Sequence, residues 1–314
     1  MELIRRHVRG WAIALTVAGY LALAVVPGSG ALPYLAGEAV ARLVLFALVA
    51  AFVALLGGRR ALAPTTVGLR RALREGRYPV LLALGLCAIE VIGLLQLVAG
   101  GEAVPVSPSW AGDLASVALL CVGVGLYEEA LFRVLLLGGL LSGHGATRNG
   151  VTTAVLVSSV AFGVAHVALV GDPGPLTLVQ MLLKTAQTTC IGLVLGAVYV
   201  RTRSFVGVAA LHALADFAPL SLLAVIGGLE GSLGSYVSGG EGAAAVVAGL
   251  ALVAVYLVLV ALYAPAAVHA WRLLETTPLP ACGPFAEGWE PHPDDDPTLD
   301  PPEGDGRPVP PTGL

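Results

Sequence analysis

Charged and aromatic residues are scarce in this 314-residue chain, at 12% and 6% of the sequence. A soluble globular protein carries about twice that charged fraction. Basic residues do not outnumber acidic ones (17 against 21), so the chain lacks the basic surface that a nucleic-acid-binding protein needs. The four cysteines are scattered along the chain, which excludes a disulfide scaffold. The 57% of hydrophobic residues instead indicates a helical membrane protein.

Long apolar stretches fill most of the sequence. A helix needs about 20 residues to cross a bilayer, and eight stretches are long enough. The first follows Arg5, Arg6 and Arg9, and we interpret it as a retained signal anchor. We therefore predict an all-α, polytopic integral membrane protein of about eight transmembrane helices, at residues 11–28, 39–57, 79–100, 113–141, 150–170, 177–200, 204–227 and 243–270.

The distribution of basic residues predicts the orientation of these spans. With the N-terminus in the cytoplasm, 14 of the 17 basic residues fall in cytoplasmic segments, and every charged residue of the predicted outer loops is acidic. This asymmetry is typical of membrane proteins, whose cytoplasmic loops are rich in Lys and Arg. We predict a multi-pass protein of the cell (inner) membrane, embedded in the lipid bilayer, with both termini cytoplasmic.

Composition also divides the chain into four regions. Residues 1–112 form an N-terminal transmembrane region that includes a basic cytoplasmic connector at 58–78, and residues 113–227 form a catalytic core. A C-terminal transmembrane helix occupies 228–274. Residues 275–314 are rich in Pro, Gly, Asp and Glu, a composition that cannot bury a core, and we predict a disordered acidic tail. The sequence contains no internal repeat, so it gives no sign of an inverted-repeat transporter.

Ionisable residues inside the predicted spans are the candidates for function. Charge within a bilayer is costly, so each such residue needs a partner or a role. Two of them, Glu90 and Lys184, match no motif; each can pair across helices, or Lys184 can form a polar wall of a cavity. The full set is Glu90, Glu128, Glu129, Arg133, His166, Lys184, His212 and Asp216.

The fourth span carries two adjacent acids and a base. Glu129 and Arg133 are four residues apart and share a helical face, so we expect them to form an ion pair. Glu128 lies about 100° further around the helix and faces elsewhere. It therefore stays available as a base or a ligand. A buried salt bridge with a spare acid near the interface is the alternative interpretation.

The fifth and seventh spans each carry a histidine. Phe162 and His166 are four residues apart, so the aromatic ring can pack beside the imidazole. His212 and Asp216 have the same spacing, and the carboxylate can hold the imidazole in one tautomer. Each pair alone is also explained by packing or a local hydrogen bond. Together with Glu128 they supply a complete set of groups for activating water.

These three motifs resemble those of the CPBP (CAAX protease and bacteriocin-processing, or ABI) family of intramembrane proteases. The family pattern is EExxxR, then FxxxH, then HxxxN or HxxxD on successive core helices. Glu128-Glu129-x-x-x-Arg133 fits the first motif, Phe162-x-x-x-His166 the second and His212-x-x-x-Asp216 the third. The approach to the last motif, residues 192–217, is also similar. The resemblance covers about residues 110–220.

The resemblance implies a role for each of these residues. Glu128 would be the general base, working with His166, and Glu129 and Arg133 would be a structural pair that orients it. His212 and Asp216 would stabilise the oxyanion or form a second side of the site. An ionised carboxylate cannot donate a hydrogen bond, so Asp216 would have to be protonated, orient His212 or bind a metal.

The sequence leaves metal dependence open. A Glu/His/His set can ligate a divalent metal such as zinc with an open position for water, and the family is commonly classified among the metalloproteases. The HExxH spacing typical of zinc proteases is absent from the sequence, however, and the same residues can carry out a metal-free hydrolysis driven by the glutamate.

We predict an intramembrane endopeptidase of the CAAX protease-like type. It would hydrolyse a peptide bond in a membrane-associated protein or peptide, within a polar cavity that opens toward the cytoplasmic half of the membrane. Nothing in the sequence indicates a prenylated substrate. The alternative is a non-catalytic membrane scaffold, or an immunity-type protein, with the same fold.

Overall fold

The computed structural model describes residues 7–26, 32–167, 174–227, 237, 242–280, 282–286 and 289. All regular structure within these ranges is helical. The helices are α1 (Val8–Val25), α2 (Tyr34–Leu55), a 3-10 helix (Arg59–Leu62), α3 (Thr66–Glu75), α4 (Arg77–Ala99), α5 (Trp110–Glu129), a π-helical segment (Ala130–Leu137), α6 (Gly138–His144), α7 (Arg148–Ala165), α8 (Pro175–Thr202), α9 (Phe205–Ile226) and α10 (Ala243–Thr276).

Each of the eight predicted spans coincides with a helix over its described residues, and in the described part of the chain six helical stretches are long and apolar enough to cross a membrane. These six stretches are Tyr34–Leu55, Arg77–Ala99, Trp110–His144, Pro175–Thr202, Phe205–Ile226 and Ala243–Thr276. Together they have the organisation of a multi-pass membrane protein. Helix α1 has a shorter apolar run, and α7 begins with Arg148 and Asn149. That these two helices also cross the membrane stays a prediction.

The most buried part of the bundle is the continuous helix formed by α5, the π-helical segment and α6. Every residue from Ala130 to Leu137 is buried. Helices α1, α2, α7 and α9 pack around this rod and α8 touches it, whereas α4 and α10 are largely exposed along their apolar surfaces. Exposed apolar side chains on such helices are suited to contact with lipid chains rather than with water.

Two N-caps and one tight turn set the ends of the central helices. The side chains of Thr147 and Ser204 accept hydrogen bonds from the backbone N–H groups of Gly150 and Gly207, which begins α7 and α9. Arg203 adopts a left-handed conformation (φ 49°) directly after α8. Only two residues, Arg203 and Ser204, therefore separate α8 from α9.

Two close helix contacts position the residues of the predicted motifs. A Cβ on Gly125 would lie 2.5 Å from the carbonyl oxygen of Ala209, so α5 and α9 touch backbone to backbone one turn before Glu129. A Cβ on Gly163 would overlap the hydroxyl of Thr189, so α7 and α8 are equally close beside Phe162. Glycine is required at both positions because no other residue leaves room for the facing helix.

The residues that follow α10 pack against the bundle. We predicted a disordered tail from residue 275, but α10 continues to Thr276 and Trp289 is 1% exposed. The Trp289 ring stacks on Tyr199 with the ring centroids 6.3 Å apart, and the guanidinium of Arg203 lies over the indole. Phe285 and Pro284 fill the space beside Gly58 and Gly138. Residues 290–314 lie outside the described part of the chain.

Candidate active site

Glu129 is the buried carboxylate of the site. Its side chain is fully buried, and its Oε2 lies 3.0 Å from Nε of Arg133, which is the ion pair expected from the sequence. Its other oxygen accepts a hydrogen bond from Nδ1 of His212 on α9, at 2.9 Å. Glu129 therefore joins α5 to α9, a contact that the sequence did not predict.

Arg133 contacts three described side chains. Beyond Glu129, its Nη1 lies 3.4 Å from the hydroxyl of Ser158, which in turn donates to the carbonyl oxygen of Phe132 at 2.7 Å. The guanidinium also lies 4.7 Å from the centroid of the Phe162 ring. A buried cation with these partners fixes the orientation of Glu129.

Glu128 faces the two histidines. Its Oε2 lies 3.5 Å from Nε2 of His166 and 3.9 Å from Nε2 of His212. The side chain is 16% exposed, whereas that of Glu129 is fully buried. The predicted division is therefore present: one carboxylate pairs with Arg133, and its neighbour faces the imidazoles of two other helices.

His166 is anchored through its backbone-facing nitrogen. Nδ1 lies 2.7 Å from the carbonyl oxygen of Phe162. A carbonyl oxygen can only accept, so Nδ1 carries the proton of this hydrogen bond. In the neutral ring, Nε2 is then unprotonated and presents its lone pair toward Glu128. This arrangement suits a group that orients a water molecule or accepts a proton from it.

The Phe162 ring packs against the main groups of the site. Its centroid lies 4.4 Å from that of the His166 ring and 5.7 Å from that of His212, and Phe132 packs edge-on against it at 5.3 Å. The packing of phenylalanine beside His166 was expected from their spacing. The contact with His212 was not, because it depends on how close α7 and α9 approach.

Asp216 completes the cluster from the next turn of α9. Its Oδ2 lies 3.3 Å from Nε2 of His212, and its side chain is 41% exposed. The two ring nitrogens of His212 thus face two different carboxylates, those of Glu129 and Asp216. A protonated imidazole would donate to both.

A cavity of about 280 Å³ lies beside this cluster. Its polar wall combines site residues from α7 and α9 with polar residues of α8, and the remaining wall is apolar. The polar lining consists of His166, His212, Asp216, Lys184, Gln187 and Thr188. Helices α4 and α10 supply apolar residues together with Tyr263. The sequence had offered a polar cavity wall as one role for Lys184, and it does line this cavity.

All six residues predicted for the site belong to one connected cluster. Two other polar residues of the spans lie apart from it. Glu90 is exposed on α4. Tyr127 is buried, and its hydroxyl donates to the carbonyl oxygen of Gly19 in α1 at 2.6 Å, so it joins two helices. Sequence reasoning passed over Gln187 and Thr188, although both lie on the same face of α8 as Lys184.

The donor groups do not form a metal-binding set. Within the described residues, no group of three His, Cys, Asp or Glu side chains converges in a way that could hold an ion. The described side chains therefore contain no preformed zinc site of the kind considered from the sequence.

Fold and site together define a class of protein: a multi-pass helical membrane protein with acids and imidazoles clustered inside its bundle. Comparison with known families makes the assignment specific. Residues 110–218 match the family described as type II CAAX prenyl endopeptidase Rce1-like. This segment, from α5 to α9, is a domain of that family, also called CPBP or Abi, as the motifs indicated. No curated protein and no solved structure matches the chain significantly.

Proposed function

We propose that this protein is an intramembrane endopeptidase in which Glu128 activates water. The observation that supports it best is the convergence of Glu128, His166 and His212 from three separate helices, with Oε2 of Glu128 within 3.9 Å of a nitrogen of each ring. Membership of residues 110–218 in a protease family gives independent support. A scaffold would have no need for a carboxylate held in this position.

The charge balance of the cluster is consistent with a basic Glu128. The cluster and its cavity contain three carboxylates (Glu128, Glu129 and Asp216) and two basic side chains (Arg133 and Lys184). Buried charges are stable only when they are balanced. A protonated His212, donating to both Glu129 and Asp216, neutralises the set while Glu128 stays ionised. Asp216 then acts as a partner of His212 and not as a hydrogen-bond donor to the substrate.

The proposed reaction needs only water and the peptide bond. Water hydrogen-bonded to Glu128 and to Nε2 of His166 gives one proton to Glu128 while its oxygen attacks the carbonyl carbon. The tetrahedral oxyanion then collapses, the C–N bond breaks, and Glu128 returns the proton to the departing nitrogen. A carboxylic acid and an amine are released. Glu129 and Arg133 do not touch the substrate; they hold His212 and the end of α5 in place.

We further propose in which membrane this reaction takes place and on which class of substrate. All eight apolar helices cross the cell (inner) membrane with both termini in the cytoplasm, as the arginine distribution indicates. The substrate is a membrane-associated protein or peptide, since the cavity lies between helices that are exposed to lipid. Residues 1–112, 113–227 and 228–274 keep their proposed roles as N-terminal region, catalytic core and C-terminal helix, and the proposed tail is limited to residues 290–314.

The test compares protein termini in membranes of cells that make equal amounts of wild-type protein, Glu128→Gln or Glu90→Gln. Glu90 is an intramembrane glutamate outside the cluster, so it is a matched control for loss of a carboxylate. We expect new termini with wild type and with Glu90→Gln, and none with Glu128→Gln. Termini that persist with folded Glu128→Gln would contradict the role of Glu128, and identical termini in all samples would favour the scaffold.

A further inference from the structure

The polar residues of α8 form a stripe on one helical face. Gln180, Lys184, Gln187 and Thr188 recur at intervals of four, three and one residues, which places them on the same side of a helix. The last three line the cavity. Gln180 lies further along the stripe and donates to the carbonyl oxygen of Gly249 in α10, at 3.0 Å. The stripe therefore has a structural part and a part that faces the cavity.

Lys184 is the cationic member of this stripe. Its Nζ donates to Oε1 of Gln187 at 3.4 Å, which uses one of the three N–H donors of an ammonium group. Lys184 lines the same cavity as His166, His212 and Asp216, so it lies on the wall opposite or beside the groups that contact the proposed base. A lysine within an apolar helix is costly unless it is paired or functional.

Peptide hydrolysis through Glu128 requires a group that stabilises the negative charge of the tetrahedral oxygen. Removing one such group from a hydrolase typically costs about 10²–10³-fold in kcat. Most cations and donors of the cluster are already committed. Arg133 is fully buried against Glu129 and Ser158, and His212 lies between two carboxylates. Asp216, when ionised, has no hydrogen to donate.

We propose that Lys184 is the oxyanion-stabilising residue of this enzyme. The inference depends on the proposed peptidase function. When hydroxide from the Glu128-activated water adds to the carbonyl carbon, the π electrons of the C=O bond move onto oxygen, and the Lys184 ammonium donates a hydrogen bond to that oxygen. The ammonium keeps its proton throughout. The electrons return to re-form C=O as the C–N bond breaks, so Lys184 is unchanged at the end of the cycle.

A purely structural role makes a different prediction. If Lys184 serves only as a counter-charge for Asp216, its replacement by methionine lowers the unfolding temperature, and the loss is recovered when Asp216 is also made neutral. An oxyanion role predicts a folded protein in which the chemical step is slow. It also predicts that substrate binding is preserved, because the oxyanion exists only in the transition state.

The experiment uses the purified full chain in detergent and a synthetic peptide that spans one cleavage site found by the comparison of termini. We expect Lys184→Met to lower kcat about 10²-fold or more with KM within a few-fold, and Lys184→Arg to retain more activity than Lys184→Met. In a Glu128→Gln background, where no cleavage occurs, the peptide should bind with the same Kd whether residue 184 is Lys or Met.

Three results would overturn the proposal. Cleavage by Lys184→Met at the wild-type rate is one, and a Kd that weakens by the full loss in kcat/KM is another, since Lys184 would then bind the ground state. If Lys184→Met does not fold, the charge-balanced double variant Lys184→Met/Asp216→Asn is measured in its place. The third overturning result is that this double variant is as active as Asp216→Asn alone. An inactive wild type would instead contradict the peptidase function itself.

Discussion

The Nδ1 atom of His212 lies 2.9 Å from Oε1 of Glu129, and the two residues are 83 positions apart in the sequence. The same carboxylate binds Arg133 through its other oxygen. Glu129 therefore fixes the ring of His212 while Arg133 fixes Glu129, and the adjacent Glu128 faces His166 and the other nitrogen of His212. Two neighbouring glutamates of one helix thus have different sets of partners.

We expect Arg133→Ala to remove most of the folded protein. The change leaves Glu129 buried without its cation, and breaking a buried ion pair costs about 3–5 kcal/mol. Arg42→Ala is the matched control, because Arg42 pairs with Glu38 at the same i, i+4 spacing, at 3.2 Å, with both side chains about one-fifth exposed. That loss should be about 0–1 kcal/mol. Thermal unfolding in detergent compares the two; a stable, active Arg133→Ala protein would refute this account of the pair.

Gly125→Ala should destabilise the protein and reduce its activity together. The new methyl group would lie 2.5 Å from the carbonyl oxygen of Ala209 and force α5 away from α9, at a cost of about 1–3 kcal/mol. Gly85→Ala is the control, since a Cβ there meets nothing within 4 Å, and alanine favours a helix by up to about 1 kcal/mol. Unfolding temperatures measure both. Equal effects at the two glycines would show that the contact of α5 with α9 does not matter.

Phe162→Leu should lower activity far more than stability. The smaller side chain loses the ring contacts with both histidines and with Arg133, and a small displacement of catalytic groups can cost about 10²-fold in rate. Phe46→Leu removes a comparable ring, which stacks on Phe205 at 5.9 Å, and should cost a similar free energy of about 1 kcal/mol without the loss of rate. The test compares cleavage rates of the two variants at equal amounts of folded protein. Equal rates would show that Phe162 does not position the histidines for the reaction.

Trp289→Ala should destabilise the protein by about 3–5 kcal/mol, because a buried tryptophan is lost from its contacts with Tyr199 and Arg203. The exposed Trp271 gives the control, and its replacement by alanine should change stability little.

A chain that ends at residue 290 should unfold at the wild-type temperature, since the acidic, Pro-rich sequence beyond it cannot bury a core. A large loss from that truncation would contradict the predicted tail.

The sequence predicted the helices well because the relevant signal is local. Apolar runs define spans, and Thr147 and Ser204 mark the starts of α7 and α9 as N-caps. The site was predictable for a similar reason. Its motifs pair residues four apart, and such pairs meet on any helix: Glu129 with Arg133, and His212 with Asp216. The stripe of α8 had the same periodicity and could have identified Gln187 as well.

Contacts between helices could not be predicted in this way. The hydrogen bond from His212 to Glu129 depends on the close approach at Gly125, and many glycines in the chain have no such contact. The packing of Trp289 also could not be predicted. Its neighbours in the sequence are acidic residues and prolines, whereas its contacts in the structure are with α8 and the α8–α9 turn. Composition averages over a segment and misses one anchoring residue within it.

The π-helical segment Ala130–Leu137 also gives the chain an unequal tolerance to changes in length. Its i→i+5 hydrogen bonds accommodate more residues per turn than the i→i+4 bonds of an α-helix. Loss of one apolar residue after Arg133 can be absorbed by a return to α-helical geometry, with both glutamates left in register. Helix α8 is a regular α-helix and cannot absorb a deletion in this way. Deleting a single residue between Lys184 and Gln187 would turn one against the other by about 100° and break up the polar wall of the cavity.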